Sequence, residues 1–252
     1  MAGHSKWANI KHRKAAQDAK RGKQFAKFIR AIEVAAKEAN TSDPEQSPSL
    51  ALAIQKAKDG DVPKDTIERA AKRGAGELGD AAAYEPVLYE GYAPGGVAVL
   101  VDCLTDNKNR TAMEVRNAFS KVGGNLAEPG AVAFMFSRRG QVVVDATGVD
   151  EDELMAVGLE VGMEDLEADD GQFIAWCDPS DLTDLRAELE QHGFSVERAE
   201  APMVPASNTP VEDPGDAKKV LRLMDALEDN DDVQDVWANF DIADQIIEEL
   251  EA

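Results

Sequence analysis

The spacing of apolar residues changes from a helical to a strand-like period at one stretch of the chain. Before residues 74–83, apolar side chains recur three and four positions apart, as at Phe25, Phe28 and Ile32, which predicts helices with one core-facing stripe. From Tyr84 onward, short apolar runs alternate with helical patterns, which is typical of sheets covered by helices. Residues 74–83 are rich in Gly and Ala and are interpreted as the linker.

The region before the linker is predicted to be a small helical bundle. Ser47-Pro48 combines a capping residue with proline at the first helical position, which predicts a helix start. A further helix is expected from about Pro63 to Gly74. Residues 11–24 contain no large apolar side chain, so this stretch must lie in solvent or against a partner.

The region after the linker predicts two α/β domains. Strands are expected at residues 97–104 and 131–136, on either side of a helix at 110–122. Residues 141–200 then follow the order strand, helix, strand, strand, helix, strand of the ferredoxin-like split motif. The prediction is an α+β fold of three domains, the last ferredoxin-like and inserted into the second: a helical bundle at 1–76, a discontinuous α/β domain at 84–136 plus 206–252, and the insertion at 137–205.

Charge is strongly segregated along the chain. The net charge is −22, but residues 1–74 contain 16 Lys and Arg against 9 Asp and Glu, a net +7, while the remainder carries 11 against 40, a net −29. Because charges beyond about 8 Å are screened at physiological salt, a basic domain on an acidic body keeps its own local field. The acidic balance therefore does not exclude nucleic acid as a partner.

A dense basic segment is the strongest functional signal. Residues 1–30 contain nine basic residues and one acid, Asp18. Such a cluster suits contacts to a phosphate backbone. The alternative is an ordinary solvated helix face, which we consider a weaker explanation because the segment lacks both acids to pair with and apolar residues to bury. Trp7 either stacks on a base or, as we slightly prefer, anchors a helix to its neighbour. The predicted nucleic-acid-binding residues are Lys6, Lys11, His12, Arg13, Lys14, Lys20, Arg21, Lys23, Lys27 and Arg30.

A polar loop at residues 106–111 is a second candidate contact. It runs from a strand end to a helix start, where backbone amides together with Lys and Arg can hold a phosphate. Capping by Asn109 and ordinary turn chemistry explain the same residues equally well. The candidate residues are Lys108, Asn109, Arg110 and Arg116.

No pattern in the sequence predicts catalysis, a cofactor or a metal site. His4, His12 and His192 lack metal-ligand spacing, and the glycine pairs lack the spacing of nucleotide-binding loops. The acids Asp229, Asp231 and Asp232 are expected to form a solvated turn. We therefore expect a protein that is not an enzyme, with no catalytic residues, no cofactor and no small-molecule substrate.

The cysteines and the hydropathy predict the compartment. Cys103 and Cys177 lie in apolar, strand-like runs, which suits buried thiols in a reducing environment better than a disulfide. No apolar run approaches the length needed to cross a membrane, and the basic start is interpreted as part of the mature protein. A cytoplasmic location without membrane contact is expected, while the oligomeric state is left open.

Several long motifs resemble the YebC family, which includes the mitochondrial translational activator of cytochrome oxidase. They cover nearly the whole chain: residues 1–14, DAKRGK at 18–23, VPKD at 62–65, IERA at 67–70, YEGYAPGGVA at 89–98, LTDNKNRT at 104–111 and GGNL at 123–126. The resemblance implies three domains, a helical one and two α/β ones with the last inserted into the second. It also implies a role in gene expression.

Three functional hypotheses follow. The first is a DNA-binding transcriptional regulator, as bacterial members of the family are commonly described. The second is a translation factor that binds ribosomal RNA, which the charge segregation fits slightly better because structured RNA is recognised largely by shape and backbone. The third is an interaction scaffold whose basic charge is incidental, and whose function would survive neutralisation of Arg13, Lys14, Arg21 and Lys23.

Overall fold

The structure is a computed structural model that describes residues 18–79, 84–243 and 245–247, without the side chains of residues 18–21. Its helices are α1 (Asp18–Ala39), α2 (Pro48–Asp59), α3 (Lys64–Gly74), α4 (Lys108–Lys121), α5 (Glu151–Glu160), α6 (Leu182–Gln191) and α7 (Pro214–Glu228). Its strands are β1 (Glu85–Ala93), β2 (Val97–Thr105), β3 (Asn125–Leu126), β4 (Phe136–Arg138), β5 (Gly140–Asp145), β6 (Met163–Asp169), β7 (Gln172–Cys177), β8 (Val196–Glu200), β9 (Met203–Pro205), β10 (Thr209–Pro210), β11 (Val233–Ala238) and β12 (Phe240–Asp241).

Helices α1, α2 and α3 form the helical unit predicted before the linker. Ser47 caps α2 by accepting a hydrogen bond from the Leu50 amide at 3.3 Å, which confirms the predicted helix start. The three helices share one apolar core, in which Ile32 of α1 and Leu50 of α2 are fully buried beside Ile67 of α3. Burial of this shared core holds the unit together, since α2 and α3, with 12 and 11 residues, would be marginal alone.

The first sheet has the strand order β11-β2-β1-β3, and all neighbouring strands are antiparallel. Helices α4 and α7 cover one face, where Phe119 and Leu223 pack against Val99 and Val101. The opposite face of β2 is also buried, because Leu100 packs beside Trp237 in a second cluster. This two-sided burial explains why β2 reads as a continuous apolar run.

The strand predicted at residues 131–136 is wrong for most of its length. A 3-10 helix, Ala133–Met135, occupies it, and only Phe136 belongs to a strand. The carboxylate of Glu90 accepts hydrogen bonds from the amides of Gly130, Val132 and Ala133, so these groups are unavailable for strand pairing. The short strand β3 takes the edge position beside β1 instead.

The second sheet confirms the ferredoxin-like order of elements. Its strands β5 to β8 alternate with α5 and α6 as predicted, in the antiparallel order β6-β7-β5-β8. Asp170 and Gly171, both with positive φ, make the turn between β6 and β7. Fully buried Leu154, Leu185 and Leu189 attach the helices to the sheet.

Strands β4 and β9 pair with each other at the two ends of the segment that carries the second sheet. The chain then forms α7, which covers the first sheet, and β11, one of the two edge strands of that sheet. After β12, the described positions 245–247 are helical. The α+β class with a helical N-terminal region is confirmed, while the domain boundaries stay predictions.

Within the described ranges, no helix combines the length and the apolar character needed to cross a membrane.

Candidate nucleic-acid interface

Helix α1 carries Lys23, Lys27 and Arg30 on one stripe, four and three residues apart. Lys27 is only 9% exposed, and the Arg30 side chain is 13% exposed, whereas that of Lys23 is 53% exposed. Of the other predicted residues, Lys20 and Arg21 lie on α1, but their side chains fall outside the described part. Lys6, Lys11, His12, Arg13 and Lys14 also fall outside the described residues.

The three described side chains all contact the acidic turn, which we define as residues 228–232 between α7 and β11. Lys27 Nζ donates to the carbonyl oxygen of Glu228 at 2.7 Å, and Lys23 Nζ donates to that of Asp229 at 3.2 Å. Lys23 also forms an ion pair with Asp231, with 3.6 Å between Nζ and Oδ1. The predicted binding stripe is thus held against an acidic part of the same chain.

Arg30 makes the most contacts where α1 meets the acidic turn, a region that we call the junction. Its Nη1 donates to the carbonyl oxygens of Leu104 at 3.2 Å and Asp231 at 2.5 Å, and to Asp232 Oδ1 at 3.3 Å. Its guanidinium lies 4.7 Å from the ring centroid of Tyr84, close enough for a cation–π contact. Arg30 therefore joins the helical unit to both β2 and the acidic turn.

Asp232 is the centre of the junction, and its side chain is only 8% exposed. Its Oδ2 accepts hydrogen bonds from Arg110 Nη2 and Thr111 Oγ1, both at 2.7 Å, and from Thr105 Oγ1 at 3.2 Å. Burial alone would raise its pKa, but these hydrogen bonds outweigh burial and hold the pKa below its ordinary value. The expected solvated turn is therefore wrong at Asp232, which is a buried, charged acceptor.

The four residues of the second candidate contact differ in their surroundings: two of them form ion pairs with carboxylates, and the other two are exposed on α4. Lys108 pairs with Glu85 at 2.5 Å, and Arg110 pairs with Asp106 as well as Asp232, which raises the pKa of its guanidinium. Asn109 and Arg116 are exposed on α4. The cap of α4 is Asn107, whose Oδ1 accepts from the Arg110 amide at 3.1 Å, so capping by Asn109 is wrong.

A polar cleft of about 380 Å³ opens where these groups meet. Its lining is Lys23, Arg30, Tyr84, Asp106, Arg110, Glu114 and the turn residues Asp229, Asn230, Asp231 and Asp232. Sequence reasoning missed Tyr84 and Asp232 as parts of this site. Arg30 and Asp232 are 202 positions apart, so no local pattern could have paired them.

A second charged junction joins α2 to both sheets. Lys56 Nζ lies 3.8 Å from the Asp235 carboxylate on β11 and 3.9 Å from that of Glu200 on β8, and Asp235 is the main cause of its raised pKa. Asp235 is the cross-strand partner of Asp102 on β2. Burial first, and then the nearby charge of Asp235, raise the pKa of Asp102 to about 6.

The described residues contain no group of three His, Cys, Asp or Glu side chains suited to hold a metal ion. Both cysteines are free and buried, as predicted. Burial raises the pKa of the Cys103 thiol to about 12 and that of Cys177 to about 11, so both remain protonated at neutral pH. The chemistry available at the described site is charge pairing and hydrogen bonding.

Comparison with known proteins covers almost the whole chain. Residues 5–77 match the TACO1/YebC protein N-terminal domain, and residues 84–240 match the TACO1/YebC second and third domain. A protein of Halothermothrix orenii is 55% identical over 252 residues, which is 99% of each chain. One of Thermobifida fusca is 51% identical over 250 residues, covering 99% of this chain and 100% of its own. Both are named "Probable transcriptional regulatory protein", which supports a regulator-type role.

A solved structure agrees with the sequence comparison. The crystal structure of a conserved hypothetical protein, Aq1575 from Aquifex aeolicus, superposes with a TM-score of 0.81 at 45% identity. The match covers 90% of this chain and 93% of that one. With matching domains, relatives and fold, the chain belongs to the TACO1/YebC family.

Proposed function

We propose that the protein is a non-enzymatic, cytoplasmic regulator of gene expression that binds nucleic acid through its basic N-terminal region. The names of the relatives support transcriptional regulation, and therefore DNA as the ligand. The observation that carries the proposal is the segregation of charge, with nine basic residues and one acid among residues 1–30 on an otherwise acidic protein. Neutralising phosphates releases condensed counterions, which favours binding by such a segment.

The proposed contacts are to phosphates rather than to base edges. Lysine and arginine on one helix fix a protein on the backbone but carry little sequence information. Asn109 and Arg116, both exposed on α4, are the residues of the second candidate contact that stay accessible to a nucleic acid. Lys108 and Arg110 would first have to leave their carboxylate partners. We therefore expect weak sequence discrimination.

Binding of a fluorescein-labelled, mixed-sequence DNA duplex tests the proposal. With roughly six to ten phosphate contacts, affinity should fall by about three to five orders of magnitude between 50 and 200 mM salt. The variant with Arg13, Lys14, Arg21 and Lys23 changed to Gln should lose binding. A control with Lys121, Lys218, Lys219 and Arg222 changed to Gln removes the same charge from exposed positions on α4 and α7. A flat salt response, or equal losses in both variants, would contradict the proposal.

Binding to ribosomal RNA in a translation role is the second candidate. It is favoured by the net charge of −29 on residues 75–252. A basic region that binds RNA, next to acidic domains that face protein, suits a factor that works on the ribosome. Gradient sedimentation of DNase-treated lysate at low salt distinguishes the two roles. Ribonuclease-sensitive migration with ribosomal particles would favour translation, whereas retention at the top, together with a DNase-sensitive pool in untreated lysate, would favour transcription.

A further inference from the structure

The described side chains of α1 that are proposed to bind phosphate, Lys23, Lys27 and Arg30, are already occupied by oxygen acceptors of the same chain. The acidic turn offers the carbonyl oxygens of Glu228, Asp229 and Asp231 together with the carboxylates of Asp231 and Asp232. The first of these carbonyls is at the C-terminus of α7, where the helix dipole adds partial negative charge. This array of anionic and partly anionic oxygens has the acceptor chemistry of a phosphate backbone.

We propose that the acidic turn is an intramolecular competitor that occupies the nucleic-acid-binding stripe of α1 and must be displaced when nucleic acid binds there. The inference rests on the proposed function. Lys27 and Arg30 are too deeply buried, at 9% and 13% exposure, to contact an external phosphate while the turn is in place. Lys23 is half exposed and provides the first point of contact.

The contact between α1 and the acidic turn can separate and form again. The apolar core of the helical unit and that of the first sheet are separate clusters, so the contact between α1 and the acidic turn is made by polar groups. The exposed contacts of Lys23 weaken with salt and exchange readily for equivalent contacts to another anion, whereas the buried pair of Arg30 with Asp232 is screened weakly and separates last. Displacement of the turn then exchanges one set of oxygen acceptors for another without exposing an apolar core.

The competition is tested by weakening the turn without touching α1. Asp229→Asn with Asp231→Asn removes two exposed acids and leaves Asp232 in place. Affinity for the labelled DNA duplex should rise about five- to tenfold. The control, Glu160→Gln with Asp165→Asn, removes the same charge from exposed positions of the second sheet and its helix, and should change affinity less than twofold.

A direct measurement of the contact uses the unaltered protein. Carbodiimide coupling should join Lys23 to Asp231, and added duplex should lower the yield of this cross-link while leaving that of Lys219 with Asp216 unchanged. Equal affinities of the turn variant and its control, or a cross-link that saturating duplex does not reduce, would overturn the competition while the proposed function stands. Absence of binding by every variant would overturn both.

Discussion

Arg186 and Asp59 form a bidentate ion pair, with Nη1 to Oδ2 at 2.7 Å and Nη2 to Oδ1 at 3.0 Å. The pair joins α6, beside the second sheet, to the last residue of α2 in the helical unit. The two side chains are only 13% and 14% exposed, so solvent screens their attraction weakly. This pair fixes the helical unit against the second sheet, where Leu52 of α2 also packs against the sheet's core.

Asp59→Asn should therefore destabilise the protein strongly. The substitution leaves the largely buried Arg186 guanidinium with Glu190, 2.8 Å from its Nε, as the remaining carboxylate partner, so the loss in the free energy of unfolding should be about 2 kcal/mol, below the cost of an uncompensated buried charge. Urea unfolding followed by tryptophan fluorescence measures the loss. Glu68→Gln, which removes the exposed Lys64–Glu68 pair, serves as the control and should cost less than about 0.5 kcal/mol. Similar losses in both variants would contradict this interpretation.

Two glycines of the helical unit should respond oppositely to alanine. Gly22 lies inside α1, and an added Cβ would have no atom of the described residues within 4 Å, so Gly22→Ala should stabilise by about 0.5–1 kcal/mol. A Cβ at Gly74 would collide with the carbonyl oxygen of Glu33 and lie 2.8 Å from Ala36 Cβ. Gly74→Ala should force α1 and α3 apart and cost about 1–3 kcal/mol. Thermal unfolding of both variants tests the pair, and a stabilised Gly74→Ala would refute the close packing.

The sequence predicted the elements well because their signals are local. The cap at Ser47 and the apolar run of β2 depend on neighbouring residues, and both were found where expected. The site was predicted less completely, because its partners are distant in the chain. Lys27 and Glu228 are 201 positions apart, and a charge count cannot show that a basic stripe is covered by an acidic turn. The strand wrongly predicted at 131–136 has the same origin, since Glu90 lies 40 residues before Gly130.

Glu90→Gln should loosen the loop at residues 130–133. Burial alone would raise the pKa of Glu90, but hydrogen bonds from the amides of Gly130, Val132 and Ala133 hold the pKa below its ordinary value. A neutral amide accepts these bonds more weakly and adds a misplaced donor, so the loss should be about 2 kcal/mol at neutral pH. Hydrogen exchange at the three amides should accelerate in the variant, and unchanged protection would argue against the carboxylate as their anchor.

The hydrogen bonds to Glu90 also predict how stability changes as the pH falls. A carboxyl whose folded pKa is lowered contributes stability above its unfolded pKa of 4.5, and this contribution disappears as pH falls through the folded value. The difference in free energy of unfolding between wild type and Glu90→Gln should therefore be constant at neutral pH and shrink below about pH 4.5. Urea midpoints across this range measure it, and a difference that persists unchanged into strong acid would contradict the assignment.

Asp102 should behave in the opposite sense, because its pKa is raised to about 6 by burial and by Asp235 across the strand pair. Stability from its protonated form is complete below the unfolded pKa of 3.8 and is lost as pH rises through about 6. Asp102→Asn keeps the neutral form at every pH, so the variant should gain on wild type across this window, by about 2 kcal/mol at pH 7. The gain comes first from the burial of the Asp102 carboxylate and second from the like charge of Asp235 directly opposite on the neighbouring strand.

Asp235→Asn separates the two causes of that shift. Removing the Asp235 charge should lower the pKa of Asp102, measured by carboxyl NMR, while the contribution of burial remains. The same substitution removes the main cause of the raised pKa of Lys56, so that pKa should fall as well. Because Lys56 belongs to the helical unit and Asp102 to the first sheet, a joint response of both groups would establish that the two regions meet at this junction in solution. If only Asp102 responded, the contact between Lys56 and Asp235 would be absent in solution.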